Sequence, residues 1–134
     1  MNEEEIKKKF IVDENYFERE KIPVLAQRIM PFCRVAKNGR VIFEKNLNNN
    51  TLKITLILVA RWIGSQLDKN ISAEVNTNEI SDVTGLPLNI ISARMAEIVE
   101  RNWAQKKSKG TYAIHPYQIQ NIIEKLDDKF GDKK

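Results

Sequence analysis

Three stretches of the chain carry apolar residues at the spacing of a helix. Residues 52–69, LKITLILVARWIGSQLDK, are apolar on more than one side, which predicts a central helix that is buried from several directions. Further along, Ile91, Met95 and Ile98 recur at spacings of four and three, so a second helix is expected to bury one face.

The third stretch predicts an amphipathic C-terminal helix. Its apolar side chains form one stripe, at Ile119, Ile122, Ile123, Leu126 and Phe130. The stripe has two interpretations: it closes the domain by packing on its own core near Trp62 and Trp103, or it forms half of a homodimer interface. The residues favour neither, and GDKK after the helix is expected to be a solvated tail.

Between these helices, residues 75–102 have the signals of two helices joined by a tight turn. Asn76 can cap the first helix and Glu79 lies three residues later, the spacing of a capping box. Gly85 suits the left-handed conformation in which helices commonly end, and Pro87 suits the first turn of the next helix. Glu74 and Val75 are expected to form a short strand before the first helix.

After Asn102 the period changes from helical to alternating. The segments WAQKK, SKG and TYAIH predict a strand, a turn and a second strand, with Tyr112 and Ile114 on one face of the ribbon. Its tip is rich in lysine.

The first 50 residues predict a short helix and a β-hairpin. Pro23 can start the helix and Pro31 ends it, while Asn38-Gly39 lies between two β-rich runs and predicts a hairpin with a primed turn. Residues 1–22 either form a loose amphipathic edge through Ile6, Phe10 and Tyr16 or Phe17, or remain a frayed tail.

Taken together, these landmarks resemble the winged helix-turn-helix family. The resemblance is carried by TNEISDVTGL for the second helix and turn, by NIISARMAEIVERNW for the recognition helix and by AQKKSKGTYAI for the wing, and it covers about the last two thirds of the chain. It implies an α+β fold with a three-helix core and a β-wing over residues 51–134, which includes the C-terminal amphipathic helix. Residues 1–50 are then an N-terminal extension with a short helix and a β-hairpin.

The composition is that of a small globular protein, and its positive charge favours contact with a polyanion. The net charge of +4 is concentrated toward the two ends of the chain, and the predicted helix-turn-helix is nearly neutral. Cys33 is the single cysteine, which fits a reducing cytosol and a small apolar role in a strand. The most apolar run, 54–63, is too short to span a bilayer and no signal peptide is visible, so a soluble cytoplasmic protein without a membrane partner is expected.

Catalysis and cofactors find no support in the sequence. His115 is the single histidine, and no pair of cysteines accompanies it, so neither a zinc site nor a Cys/His dyad has the required spacing. No glycine-rich nucleotide-binding or nucleophile-elbow pattern occurs. We therefore expect a protein that is not an enzyme and uses no metal or cofactor.

The resemblance implies that the chain binds double-stranded DNA. In that family the recognition helix, here residues 88–101, lies in the major groove, and the wing, here residues 103–115, contacts the backbone or minor groove. Asparagine can pair with adenine, arginine with guanine and alanine with a thymine methyl group, whereas lysines and hydroxyls suit phosphates. The expected DNA-binding residues are Asn89, Ser92, Ala93, Arg94, Arg101, Lys106, Lys107, Lys109 and Thr111. Work in transcription regulation or chromosome organisation would follow, and a homodimer is one form that such a protein could take.

Two alternatives stand beside this interpretation. The wing lysines are also what an exposed hairpin needs for solubility. In addition, Leu88 and Ile90 are expected to face outward, and Glu97 and Glu100 place negative charge on the same helix. These features favour a winged helix that binds a protein partner through its apolar patch.

Overall fold

A computed structural model describes residues 1–13 and 16–131 of the chain, and over these residues the fold is α+β. The helices are α1 (Glu3–Phe10), α2 (Ile22–Ile29), α3 (Asn50–Leu67), α4 (Thr77–Thr84), α5 (Leu88–Glu100) and α6 (Ile119–Phe130). The strands are β1 (Cys33–Val35), β2 (Val41–Phe43), β3 (Val75–Asn76), β4 (Ala104–Ser108) and β5 (Thr111–Ile114). Short 3₁₀ turns precede α2 and α6, at Arg19–Lys21 and Pro116–Gln118. Residues 132–134 of the expected solvated tail lie outside the described residues, as do residues 14 and 15 of the 1–22 segment.

Helix α3 is the centre around which the other elements pack. Asn49 caps it, because the side-chain oxygen accepts a hydrogen bond from the N–H of Leu52 at 3.0 Å. Apart from the half-buried Lys53, every residue from Thr51 to Gly64 is buried, against α2, α4, α5 and both sheets. The prediction of a helix buried from several directions is confirmed.

The two helices after β3 follow the signals in the sequence. The side chain of Asn76 accepts a hydrogen bond from the N–H of Glu79 at 2.9 Å, which confirms the cap, and its amide donates to the Glu79 carboxylate at 3.3 Å. The return bond thus comes from the side-chain amide rather than from the backbone N–H of a standard capping box. Gly85 ends α4 with a φ of +73°, and α5 begins directly after Pro87. Ile80 on α4 and the predicted apolar face of α5 are fully buried.

Two antiparallel sheets complete the described fold. Strands β1 and β2 pair alone, whereas the second sheet has the order β3-β5-β4 and a bulge between Lys106 and Ser108. Both the hairpin at residues 33–43 and the ribbon at residues 104–114 are confirmed, and so is the short strand at Val75.

The predicted primed turn of the first hairpin is wrong. The N–H of Gly39 donates to the carbonyl oxygen of Ala36 at 2.8 Å, so Lys37 and Asn38 are the central residues of the turn. Gly39 has a φ of +93°, whereas Asn38 has no positive φ. A type I′ turn needs positive φ at both central residues; here an ordinary turn is followed by one left-handed glycine. Asn38 instead uses its side chain to accept from the N–H of Arg40 at 3.0 Å.

The stripe of α6 is buried within the single chain. Ile119, Ile122, Ile123 and Leu126 are each completely inaccessible to solvent. Helix α6 packs against α2, where Arg28 donates to Asp127 at 3.0 Å. Of the two interpretations of the stripe, the structure supports packing on the core of the same chain.

The N-terminal helix contrasts with the rest of the fold, because none of its residues is buried. Ile6, Phe10 and Tyr16 are exposed, so they form no edge against the body. Phe17 does contact the body: its ring meets Trp62 edge-on, with centroids 5.5 Å apart.

Cys33 lies buried in β1, as a small apolar residue should. Burial, assisted by the nearby carboxylate of Glu44, raises the pKa of its thiol to about 12. The reactive thiolate is therefore strongly disfavoured at neutral pH.

The core makes a direct stability prediction at Ile98, which is fully buried in α5. Ile98→Ala should lower the free energy of unfolding by roughly 2–5 kcal/mol, because it removes apolar packing and leaves a cavity. The control is Val24→Ala, since Val24 is 54% exposed on α2; it should change stability by less than about 0.5 kcal/mol. Urea denaturation measures both, and equal midpoints would contradict the assigned face of α5.

Candidate nucleic-acid interface

One side of α5 is open to solvent and carries only small or uncharged side chains over most of its length. At 100° per residue, Asn89, Ala93 and Ala96 lie on the side opposite the buried face of α5 and Ser92 lies at the border of that side; all four are exposed. We call these four residues the exposed face of α5. Small side chains allow the helix backbone to come close to a partner surface.

The two arginines of α5 lie on its flank, away from the centre of this face. Arg94 is half-buried, with its guanidinium 3.3 Å from the carboxylate of Glu97. Arg101 lies over the ring of Trp103 at 5.1 Å and lines an open cleft of about 630 Å³ at the C-terminal end of the helix. The structure therefore brings Asn89, Ser92 and Ala93 together and sets the arginines apart.

The negative charges of α5 are not equivalent. Glu97 is paired with Arg94 and also accepts a hydrogen bond from the hydroxyl of Thr51 at 3.3 Å. Glu100 is exposed and continues the exposed face at its C-terminal end. Most of the repulsion that this helix offers to an anion therefore comes from its last turn.

The ribbon β4–β5 presents its lysines to solvent from both faces. Lys106, Lys107 and Lys109 are exposed, and Gly110 makes the turn with a φ of +73°. Lys106 lies opposite Tyr112 and shares its face of the ribbon. Lys107 lines a shallow cleft on the other face, beside Ala113. The tip is therefore a cationic projection.

The tip of this ribbon is fixed to the start of α4. The N–H of Thr77 donates to the carbonyl oxygen of Gly110 at 2.9 Å, and Asn76 pairs with Thr111 across the sheet. That pairing explains why Thr111 is only half-exposed. Thr77 and the exposed Asn78 thus lie beside the lysine-rich tip. Neither is among the residues expected from the sequence, although a polar pair directly after a capping residue is a signal that could have found them.

Arg61 connects the elements that hold this surface. It is 8% exposed in the middle of α3, and its guanidinium donates to the carbonyl oxygens of Ser72 and Glu74 and to the carboxylate of Glu79. It also lies against Gly39: a Cβ added there would be 3.5 Å from the guanidinium carbon. One side chain thus joins α3, the loop after it and α4 by hydrogen bonds, and it lies beside the turn of the first hairpin.

The apolar candidates on α5 differ in exposure. Leu88 is 48% exposed at the start of the helix, whereas Ile90 is half-buried. Leu88 is therefore the stronger element of an apolar patch.

The described residues can also be compared with the requirements of a metal site and of a membrane-spanning helix. No group of three or more His, Cys, Asp or Glu side chains there could hold a metal ion. His115 is half-buried beside Tyr117, with ring centroids 5.2 Å apart. No described helix has the length and apolarity needed to cross a membrane.

Comparison of the chain with protein-family models, curated proteins and solved structures gave no match in any of the three. The function is therefore inferred from the geometry of the chain itself.

We predict that Arg61 is required for the fold that carries this surface. Arg61→Leu should lower the free energy of unfolding by about 2–4 kcal/mol, because two carbonyl oxygens and a carboxylate are deprived of a charged donor. Arg34→Leu is the control, since Arg34 pairs with Glu44 at 3.2 Å on the surface, where such a pair is worth about 0–1 kcal/mol. Thermal and urea unfolding of both variants checks this, and equal losses of stability would show that burial of Arg61 adds nothing.

Proposed function

We propose that the chain is a winged helix-turn-helix protein that binds double-stranded DNA. The observation that carries the proposal is the combination of an open, small-residue face on α5 with a cationic ribbon tip that is hydrogen-bonded to the start of α4, the helix that packs against α5. In this proposal α3, α4 and α5 are the three-helix core, α5 is the recognition helix and β4–β5 is the wing.

The exposed face of α5 suits close approach to a major groove. That groove is about 12 Å wide and admits a helix. Asn89 can pair with adenine, Ser92 can bond either base edge, and Ala93 can meet a thymine methyl group. Few side chains on this face distinguish bases, so direct base contacts contribute a small share of the affinity.

Phosphate contacts supply the larger share. Lys106, Lys107 and Lys109 project from the wing, and Thr77 and Asn78 lie beside them with groups that can hydrogen-bond phosphate oxygens. Arg94 and Arg101, on the flank of α5, reach the backbone rather than the bases. Such contacts depend little on sequence and weaken steeply with salt.

This balance suits a transcription regulator or a chromosome-organising protein. Helix-turn-helix proteins often bind as homodimers whose symmetry matches the site. A homodimer of this chain would use a surface other than the buried stripe of α6. Light scattering on the DNA-binding sample gives the oligomeric state.

The test replaces the wing lysines. Wild-type protein should bind a duplex with a dissociation constant on the order of a micromolar at low salt. Replacing Lys106, Lys107 and Lys109 by Gln should weaken binding at least tenfold. It should also make the negative slope of log K against log salt shallower, by about 0.9 for each phosphate that is no longer neutralised. Fluorescence anisotropy across a KCl series measures both.

The matched control is Lys7, Lys8 and Lys9, three consecutive exposed lysines on α1. Replacing them by Gln changes the net charge equally and should leave the slope unchanged. Absence of duplex binding by the wild type at low salt would refute the proposal, and equal weakening in the two triple variants would reduce it to an effect of net charge.

Exposure of Leu88 favours a second candidate function, a winged helix that binds a protein partner. An apolar side chain 48% exposed at the start of α5 lies where a partner could cover it. Ile90 would add the part of its side chain that remains accessible.

For this candidate, Leu88→Asp should abolish capture of a protein partner while the melting temperature stays near that of the wild type. Val24→Asp, which places the same charge at an exposed valine of α2, serves as the control. Affinity capture with mass spectrometry compares the variants. If both variants retain the partners of the wild type, the apolar patch is not an interface.

A further inference from the structure

A second cationic turn lies on the opposite side of α4 from the wing. Thr77 and Glu79 are separated by about 200° around α4. Thr77 donates to the wing at Gly110, and Glu79 accepts from Arg61, which lies against Gly39 of the β1–β2 turn. The two turns therefore flank α4.

The β1–β2 turn is held firmly in that place. The N–H of Gly39 donates to the carbonyl oxygen of Ala36, and the N–H of Ala36 donates to the carbonyl oxygen of Arg40, both at 2.8 Å. The guanidinium of Arg40 reaches the carbonyl oxygen of Asp82 at 3.3 Å, one turn of α4 before it ends at Gly85. Lys37 is exposed at the crest of the same turn.

The wing supplies cations on one side of α4, and the β1–β2 turn supplies cations on the other. A duplex presents phosphates along both edges of its major groove, and the exposed face carries no cation of its own. The wing neutralises one edge. A cation on the other side of the helix-turn-helix is needed for the opposite edge.

We propose that Lys37 and Arg40 of the β1–β2 turn contact the phosphate backbone on the side of α4 opposite the wing. This inference rests on the proposed DNA-binding function. The first hairpin, which lies outside the part that resembles a winged helix, then serves as a second cationic projection.

The hydrogen bond that Arg40 makes to α4 leaves room for this role. Its guanidinium has five N–H donors in a planar fork, and the bond to Asp82 uses one of them. The carboxylate of Asp82 is exposed nearby and opposes an approaching phosphate. Lys37 is exposed at the crest of the turn, whereas Arg40 is the residue bonded beside Asp82, so Lys37 provides the contact that this carboxylate disturbs least.

The test is the salt dependence of duplex binding by the variant Lys37→Gln/Arg40→Gln. The negative slope of log K against log salt should become shallower by about 0.9 for each phosphate that is no longer neutralised, and therefore by about 1.8 for two. Lys7→Gln/Lys8→Gln on α1 removes the same charge and should leave the slope unchanged. Lys37→Gln alone keeps the hydrogen bond between Arg40 and α4, and it should make the slope shallower by about 0.9 whatever the melting temperature of the double variant.

The outcomes separate this inference from the proposed function. If the wing variant has a shallower slope and the two hairpin variants match the α1 control, the hairpin does not contact DNA. The DNA-binding proposal then still stands. If the wild type does not bind duplex at low salt, both fail. A shallower slope for Lys37→Gln, with an unchanged slope for the α1 control, supports the second contact.

Discussion

The fold depends on the burial of one arginine. A guanidinium taken out of water must keep its hydrogen bonds, because an unpaired buried charge costs several kcal/mol. Arg61 meets this requirement with partners from separate segments: the carbonyls of Ser72 and Glu74 from a loop and the carboxylate of Glu79 from α4. A planar fork of five donors can satisfy such partners together, whereas a lysine ammonium cannot match that geometry. The requirement of one side chain thus sets how α4 and its flanking loop lie against α3.

From Arg61 the constraint reaches the β4–β5 ribbon through a short series of hydrogen bonds. Glu79 belongs both to the ion pair with Arg61 and to the capping box with Asn76. Asn76 in turn pairs with Thr111 in β5, so the same residue ends a strand and begins a helix. The β4–β5 ribbon is therefore positioned by the same polar network as α4. Because the network already orders these elements in the free protein, less loop ordering would oppose the binding of a partner.

The parts of the fold that local rules govern could be predicted from the sequence. The spacing of Ile91, Met95 and Ile98 and the helix cap at Asn76 depend on neighbours three or four residues away, and both are confirmed. The conformation of Asn38-Gly39 could not be predicted, because the dipeptide suits a primed turn and also a glycine after an ordinary turn. Arg61 interrupts an apolar run, and only the tertiary structure shows that it is buried rather than solvated.

Tertiary contacts matter even more for the candidate interface, whose arrangement the sequence alone does not reveal. Arg94 and Arg101 are chemically the best base readers in α5, yet Glu97 and the ring of Trp103 hold them on its flank. The side chains that remain in the centre of the exposed face are small. Under the DNA-binding proposal, discrimination between sequences then rests on a few polar groups, on methyl groups and on DNA shape. Phosphate contacts, which are the same at every site, would dominate the affinity, so the protein would occupy many sites with similar strength. That behaviour suits chromosome organisation better than control of a single operator.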